Sequence, residues 1–257
     1  MIFSKKNLKY IVRIFISLGF EKSIISRLNN IPKYLSNKKE WIKQGGKVDK
    51  EFLMLNDFYS ESGVSKGDYF HQDLLVAGFV NINNPKRHID VGSRIDGFVA
   101  HVASFRKIEV IDIRPLKIKS HKNIKFLKYD LTSDIKLPKT DSLSCLHAIE
   151  HFGLGRYGDP ININGHLIAL NMLINMVESK GMLYISFPIG IKNEVHFNSQ
   201  RVFDARMITN LNIVKEKLQL VRFDYIDENG ELKLNRKLKE FLSKNKYGCG
   251  IYTFKKN

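Results

Sequence analysis

Only two cysteines occur in 257 residues, Cys145 inside an apolar run and Cys249 between glycines. That is too few for a disulfide framework or a four-thiolate zinc site, and it suits a reducing, cytoplasmic setting. Acidic residues are also scarce, 26 against 42 lysines and arginines, giving a formal net charge of +16. The excess points to an anionic partner: nucleic acid, a phosphorylated metabolite or an anionic membrane face. No long hydrophobic run is present. Residues 10–20 are apolar but too short to span a bilayer, Arg13 interrupts them, and no small-residue cleavage site follows as a signal peptide would require. Internal repeats, low-complexity tracts and Pro/Ser-rich linkers are absent as well.

What is present is enough apolar material for a core: 43% hydrophobic and 26% charged residues, unlike a disordered composition. Leu8, Ile11, Val12, Phe15 and Leu18 recur at helical spacing, with Lys6, Lys9 and Arg13 off the stripe. This predicts a basic amphipathic helix that either docks on its own domain or makes peripheral contact with the inner face of a membrane. Residues 1–70 read as short helices broken by Asn29-Asn30, Pro32, Gly45-Gly46 and Gly63, an N-terminal helical cap. A further helix is expected over 71–81, before Pro85. From there to residue 257, β-rich runs at 87–91, 108–113, 124–127, 142–147, 182–187, 220–225 and 251–254 alternate with helical patterns. Such alternation is the mark of βαβ units and a mostly parallel sheet in an α/β domain spanning 71–257. The clearest helix opens at Asn164, carries Leu167, Leu170, Ile174 and Val177 on one stripe, and is expected to stop at Gly181. A second amphipathic stretch runs from Asp204 to Leu218.

The first strand ends in His88-Ile89-Asp90-Val91-Gly92-Ser93-Arg94-Ile95-Asp96-Gly97. In open α/β sheets ligands sit beyond the carboxyl ends of strands, where a glycine turn admits them to backbone amides. Arg94 occupies the middle glycine position of a dinucleotide fingerprint and Asp90 precedes Gly92, so a pyrophosphate would meet a side chain and a carboxylate. A dehydrogenase is disfavoured. Asp90 fits better beside a cationic ligand, and S-adenosylmethionine carries a sulfonium and an ammonium with no phosphate. Asp112 ends the second strand 22 residues later, near the distance at which a carboxylate accepts ribose hydroxyls; Ile113 would flank the adenine. Asp130 would accept from the adenine amino group while the Leu131 amide meets a ring nitrogen. Gly92, Ser93 and Gly97 complete the expected cofactor loop.

From Asp90 through Phe187 the pattern resembles class I S-adenosylmethionine-dependent methyltransferases. It includes Leu146-His147-Ala148-Ile149-Glu150-His151, similar to the His-x-x-Glu-His often found after their fourth strand. Four strings narrow the resemblance: Tyr69-Phe70-His71-Gln72-Asp73-Leu74, His88-Ile89-Asp90-Val91-Gly92-Ser93, Glu150-His151-Phe152-Gly153-Leu154-Gly155-Arg156-Tyr157-Gly158-Asp159-Pro160 and Phe197-Asn198-Ser199-Gln200-Arg201-Val202-Phe203. They resemble, over roughly residues 69–255, a bacterial and nematode family known as domain of unknown function 268. The resemblance implies a Rossmann-like class I methyltransferase fold, with a seven-stranded, mostly parallel sheet whose last strand is antiparallel. It further implies a bacterial role in surface polysaccharide (capsule or lipopolysaccharide) biosynthesis, the methyl acceptor being a sugar, nucleotide-sugar or phosphoryl-modified precursor. Two positions depart from the family pattern: the middle loop glycine is absent, and Gln200 stands where His is expected.

For the acceptor half, Glu150, His151 and Asp159 share one loop. By comparison with related folds, His147 belongs near the cofactor, His151 is the leading base and Glu150 orients it. Arg156 and Arg201 suit a phosphate or carboxylate on the acceptor, Tyr157 suits a sugar ring, and Asn198, His71 and Gln72 join the substrate-binding set. Competing readings remain. His147-Ala148-Ile149-Glu150-His151 matches an inverted zinc-protease string, but that needs a continuous helix, and Gly153 and Gly155 follow at once. A divalent Mg²⁺ or Mn²⁺ held by His147, Glu150 or Asp159 stays open. An RNA or DNA methyltransferase is an alternative suggested by charge, against which no Asn-Pro-Pro-Tyr-like or Pro-Cys string stands at the fourth strand. A non-catalytic S-adenosylmethionine- or nucleotide-binding protein on the same scaffold is another.

Overall fold

A computed structural model describes residues 27–117, 121–131 and 137–257. The chain divides between Val64 and Ser65 into two compact units. The described part of the first holds helix α1 (Ile31–Lys43), none of whose residues is buried, and a 3-10 turn at Asp57–Tyr59. The amphipathic stripe expected at 8–18 lies outside the described residues.

The second unit is built on β1 (His88–Val91), β2 (Ile108–Asp112), β3 (Ile124–Lys128), β4 (Thr140–Leu146), β5 (Val177–Gly190), β6 (Glu194–His196), β7 (Gln200–Asp204), β8 (Leu218–Ile226), β9 (Leu232–Lys233) and β10 (Tyr247–Lys256). The strand order is β3-β2-β1-β4-β5-β10-β8-β9, with β7 beside β5 and β6 beside β7. β1 pairs in parallel with β2 and β4, and β4 with β5. The last strand, β10, runs antiparallel to both β5 and β8. All seven β-rich runs are strands, and the expected Rossmann-like sheet with an antiparallel last strand is present, but among the described residues it has ten strands and not seven: β6, β7 and β9, each five residues or fewer, are added to it. The chain reverses its winding between β1 and β4, which opens a crevice at their carboxyl ends.

Side chains alternate across the sheet with period two. Leu183, Ile185 and Phe187 of β5 pack on one face with Leu170, Leu173 and Ile174 of helix α4 (Gly165–Met176). Tyr184 turns to the other face, where Val76 and Val80 of helix α2 (Asp68–Asn83) meet Phe98 and, from the short helix α3 (Ala100–Ala103), Val102. Helix α2 buries Gln72, Asp73, Val76, Ala77 and Val80, the i, i+4 stripe of an amphipathic helix. It ends at Asn84, whose φ of 39° is left-handed, one residue before Pro85.

Some boundaries differ from expectation. Asn164 holds the N-cap position of α4, but no side-chain cap bond forms there. The helix stops at Met176, not Gly181, and Val177 enters β5. Gly181 sits inside the strand, where a Cβ would come within 2.9 Å of the Glu178 carbonyl. Asp204 closes β7, and the stretch after it is two short helices, Met207–Asn210 and Asn212–Lys217.

Candidate functional site

β1 ends in a buried polar ladder. Ser144 Oγ and Ser93 Oγ each donate to Asp90 Oδ1 at 2.6 Å, and the Ser93 N–H donates to Oδ2 at 3.0 Å. Because the Ser144 proton goes to Asp90, Ser144 Oγ accepts from His88 Nε2 at 3.1 Å, which leaves His88 Nδ1 to accept from Ser142 Oγ at 2.7 Å. The β1–β4 register, His88 opposite Ser142 and Asp90 opposite Ser144, sets these contacts. Burial pushes His88 down to about 3 and Asp90 up to about 7. The carboxylate expected to face a cationic ligand is instead fully buried and lines neither of the two cavities described below. Its three donors belong to the loop and to β4, so it shapes the turn. Gly92 is the residue that meets the groove: its φ is 73°, and a Cβ would lie 2.8 Å from that of Ala148. Ser93 lines the groove beside it. Gly97 does not; it yields to Asp73, whose Oδ2 would sit 2.4 Å from an added Cβ.

Two adjoining cavities lie beyond the strand ends. One is lined by Gly92, Asp112, Ile113, Asp130, Leu131, His147, Ala148, His151, Tyr157 and Asp159. The other, of about 480 Å³, opens among Tyr69, Ser93, Arg94, Asp96 and Phe126. Most of the residues expected to hold a cofactor therefore converge: Gly92, Asp112, Ile113, Asp130, Leu131 and His147 share one wall. Sequence reasoning missed Arg114. Its Nε donates to Asp112 Oδ1 at 3.0 Å and its terminal nitrogen to Oδ2 at 2.6 Å, while its guanidinium lies 4.4 Å from the Tyr157 ring centre. Asp112, Arg114, Tyr157 and His147 line both cavities, so this bridge partitions the groove. An arginine two residues past a strand-end carboxylate was the available signal.

The loop after β4 brings two histidines to one buried carboxylate. Glu150 is fully buried; its Oε1 accepts from His147 Nδ1 at 2.9 Å and lies 3.6 Å from His151 Nε2, while Oε2 has no hydrogen-bond partner. Burial opposes charge on His147, but the Cys249 thiol and the Glu150 carboxylate facing it hold the imidazole well above its usual range. His147 Nε2, also without a hydrogen-bond partner, is 3.7 Å from Asp68 Oδ2 at the start of α2. Sequence reasoning missed Asp68 too. His151 is pushed down by burial. Its Nδ1 donates to the Ser199 carbonyl at 2.8 Å, so Nε2 carries the lone pair, and the residue lines the first cavity.

Several expected site residues prove to be braces. Asp159 lines the cavity, but its carboxylate accepts from the Gly153, Gly155 and Tyr157 amides at 2.7, 3.3 and 3.2 Å, which fixes the loop. Arg201 is 6% exposed, and its fork donates to the Glu150, Phe152 and Ile163 carbonyls. It holds the loop from behind and reaches no acceptor. Arg156 donates to the Ser199 carbonyl at 2.8 Å and lines neither cavity. Asn198 is exposed in the β6–β7 turn. Gln72 is buried, accepting from Ser186 Oγ at 2.6 Å, and His71 packs edge-on against Phe70; neither lines a cavity. Tyr157 alone of the expected acceptor-binding set faces the groove.

Among the described residues no group of three His, Cys, Asp or Glu side chains is placed to hold a metal ion. No helix among them is long and apolar enough to cross a membrane.

Comparisons with known proteins fit this architecture. The N-methyltransferase NodS from Bradyrhizobium japonicum WM9, solved with S-adenosyl-L-homocysteine, matches with a TM-score of 0.51 at 12% identity, over 74% of this chain and 88% of that one. The 4+2 cyclase SpnF matches with a TM-score of 0.51 at 11% identity, over 90% and 96%. The 1,6-didemethyltoxoflavin-N1-methyltransferase of Burkholderia thailandensis, solved with its substrate and S-adenosylhomocysteine, matches at 0.50 and 10% identity, over 72% and 78%. At these identities the likeness shows a shared Rossmann-like fold. No curated protein matches the sequence. A family model described as "Caenorhabditis protein of unknown function, DUF268" matches residues 100–238, more than half of the chain. The chain belongs to that family.

Proposed function

We propose that this protein transfers a methyl group from S-adenosylmethionine to an oxygen of a small anionic acceptor. The carrying observation is the convergence of the Gly92 turn, Asp112 and His151 on one cavity at the switch point of the sheet. The residues fit the cofactor: apolar Ile113, Leu131 and Ala148 suit an adenine, and the Asp112 and Asp130 carboxylates suit ribose hydroxyls and the adenine amino group. Two of the structural relatives carry S-adenosylhomocysteine in their crystals. The fold alone would not choose a reaction, since a cyclase shares it.

Bound there, the cofactor supplies a methyl carbon on a positively charged sulfur, an electrophile with its leaving group built in. The chain has to align the acceptor and take its proton. Aligning is worth several kcal/mol, within the roughly 7–11 kcal/mol that orientation can contribute. His151 Nε2 takes the proton: the Ser199 carbonyl fixes its tautomer and burial keeps it neutral. Glu150, 3.6 Å away, steadies the imidazolium that results.

The acceptor is a sugar, nucleotide-sugar or phosphoryl-bearing precursor of a surface polysaccharide, handled in the cytoplasm, and the excess of basic residues supports its anionic character. Calorimetric titration with S-adenosylhomocysteine should give a saturable one-to-one heat, and incubation with labelled S-adenosylmethionine and a nucleotide-sugar panel should label one member. Binding without labelling of any acceptor would favour a non-catalytic role; absence of binding would remove the reading altogether.

A further inference from the structure

The residue that partitions the groove also occupies the carboxylate a ribose would need. Both Asp112 oxygens are taken by Arg114: its backbone N–H and Nε reach Oδ1 at 2.8 and 3.0 Å, and a terminal nitrogen reaches Oδ2 at 2.6 Å. A vicinal diol addresses a carboxylate through the same edge as a guanidinium fork, so the two compete for it. The partners differ in freedom. The Asp112 side chain is 11% exposed and that of Arg114 46%, so it is the arginine that can leave. Its guanidinium also lies over the Tyr157 ring, 4.4 Å from the ring centre.

We propose that Arg114 is an exchange residue: it holds Asp112 in this structure and, once ribose hydroxyls take that carboxylate, turns its guanidinium to a phosphoryl group of the acceptor in the wider cavity. The proposal rests on the methyltransferase reading. The wider cavity is suited to the second role. Arg94 stands on its rim over the Tyr69 ring, with its own charge matched by Asp96 through a two-point contact at 3.1 and 2.7 Å. Arg114, once freed of Asp112, adds the unmatched positive charge, and a planar fork suits phosphoryl oxygens. Cofactor and anionic acceptor then bind with positive coupling. By reciprocity, each raises the affinity of the other by the same factor.

Calorimetry on the full chain tests this with S-adenosylhomocysteine and inorganic pyrophosphate as the two probes. Saturating S-adenosylhomocysteine should tighten pyrophosphate binding in the natural protein. Arg114→Ala, at a half-exposed position, should bind S-adenosylhomocysteine about two- to fivefold tighter, the range expected from removing a solvent-exposed competing ion pair, and should lose the coupling. Weaker S-adenosylhomocysteine binding in Arg114→Ala would make Arg114 a cofactor ligand and overturn the exchange. Unchanged coupling in that variant, or none in the natural protein, would also overturn it. Failure of the natural protein to bind S-adenosylhomocysteine at all would instead sink the underlying functional reading.

Discussion

Asp90 and Glu150 are both fully buried carboxylates at the carboxyl ends of neighbouring strands, and they do opposite things. Asp90 is saturated by Ser93 and Ser144, sits above an ordered Ser142–His88–Ser144 ladder and lines neither cavity. Glu150 keeps one oxygen unpartnered; the other accepts from His147 and lies 3.6 Å from His151, and both histidines line the groove. Buried polar groups are normally all paired, and an orphan is expensive. The saturated carboxylate belongs to the scaffold, and the unsaturated one is the carboxylate that faces the two histidines of the groove.

The strongest way to break this contrast is on the Glu150 side. His151→Ala should lower kcat about 10²–10⁴-fold, the usual contribution of a positioned base, while the Kd for S-adenosylhomocysteine stays within about twofold. Equal loss in both would make His151 a binding residue. Because burial holds His151 below the ordinary histidine range, and the base must be deprotonated, kcat/KM should climb with pH through a pKa below 6.5.

Next in size is the brace behind the loop. Arg201→Ala strips donors from the Glu150 and Phe152 carbonyls, which lie 3.2 and 2.6 Å from its guanidinium. Leaving such groups unpaired should cost about 2–3 kcal/mol, read as a drop in the urea midpoint. Loss of activity without that drop would return Arg201 to the acceptor.

The same two carboxylates show what was legible in the sequence. Strand positions and the convergence of Gly92, Asp112 and Asp130 follow from period-two hydrophobicity and strand-end placement, which are local signals, whereas the antiparallel last strand and the place of His147 were legible only through the family resemblance. Whether a strand-end Asp faces ligand or core is a cross-strand matter. For Asp90 it is decided by Ser144, 54 residues away, through the β1–β4 register. The Ser199 carbonyl that orients His151 comes from the β6–β7 turn, 48 residues on, and β6 is only three residues long, too short for periodicity to announce. Arg201 and Asp159 carry the residue types of a substrate site, and only backbone geometry reveals them as braces.

A smaller effect is expected at the turn. Gly92→Ala adds a Cβ 2.8 Å from that of Ala148 at a φ of 73°, a strain of about 1–2 kcal/mol. It should weaken S-adenosylhomocysteine about tenfold by narrowing the groove, with His151-dependent chemistry unchanged once the site is saturated.

The last test asks whether Asp90 is scaffold in its protonated or its ionised form. Three donors favour the anion, yet burial outweighs them and raises the group from 3.8 to about 7. The unfolded chain releases this proton near the lower value. Between pH 3.8 and about 7 the folded state therefore binds more protons than the unfolded one, and the Asp90 contribution to stability falls as pH rises. Asp90→Asn removes that dependence while keeping the shape. Near neutrality, where the natural side chain has lost most of its proton-linked advantage, the variant should cost under about 1 kcal/mol, no more than an ordinary hydrogen-bond exchange. The cost should be larger at pH 5, as read from paired urea titrations. A cost that grows with pH instead would mean that the Ser93 and Ser144 donors hold a buried anion. Asp90 would then be a buried anion, and the line between scaffold and groove-facing carboxylates would have to be drawn by access to the groove alone.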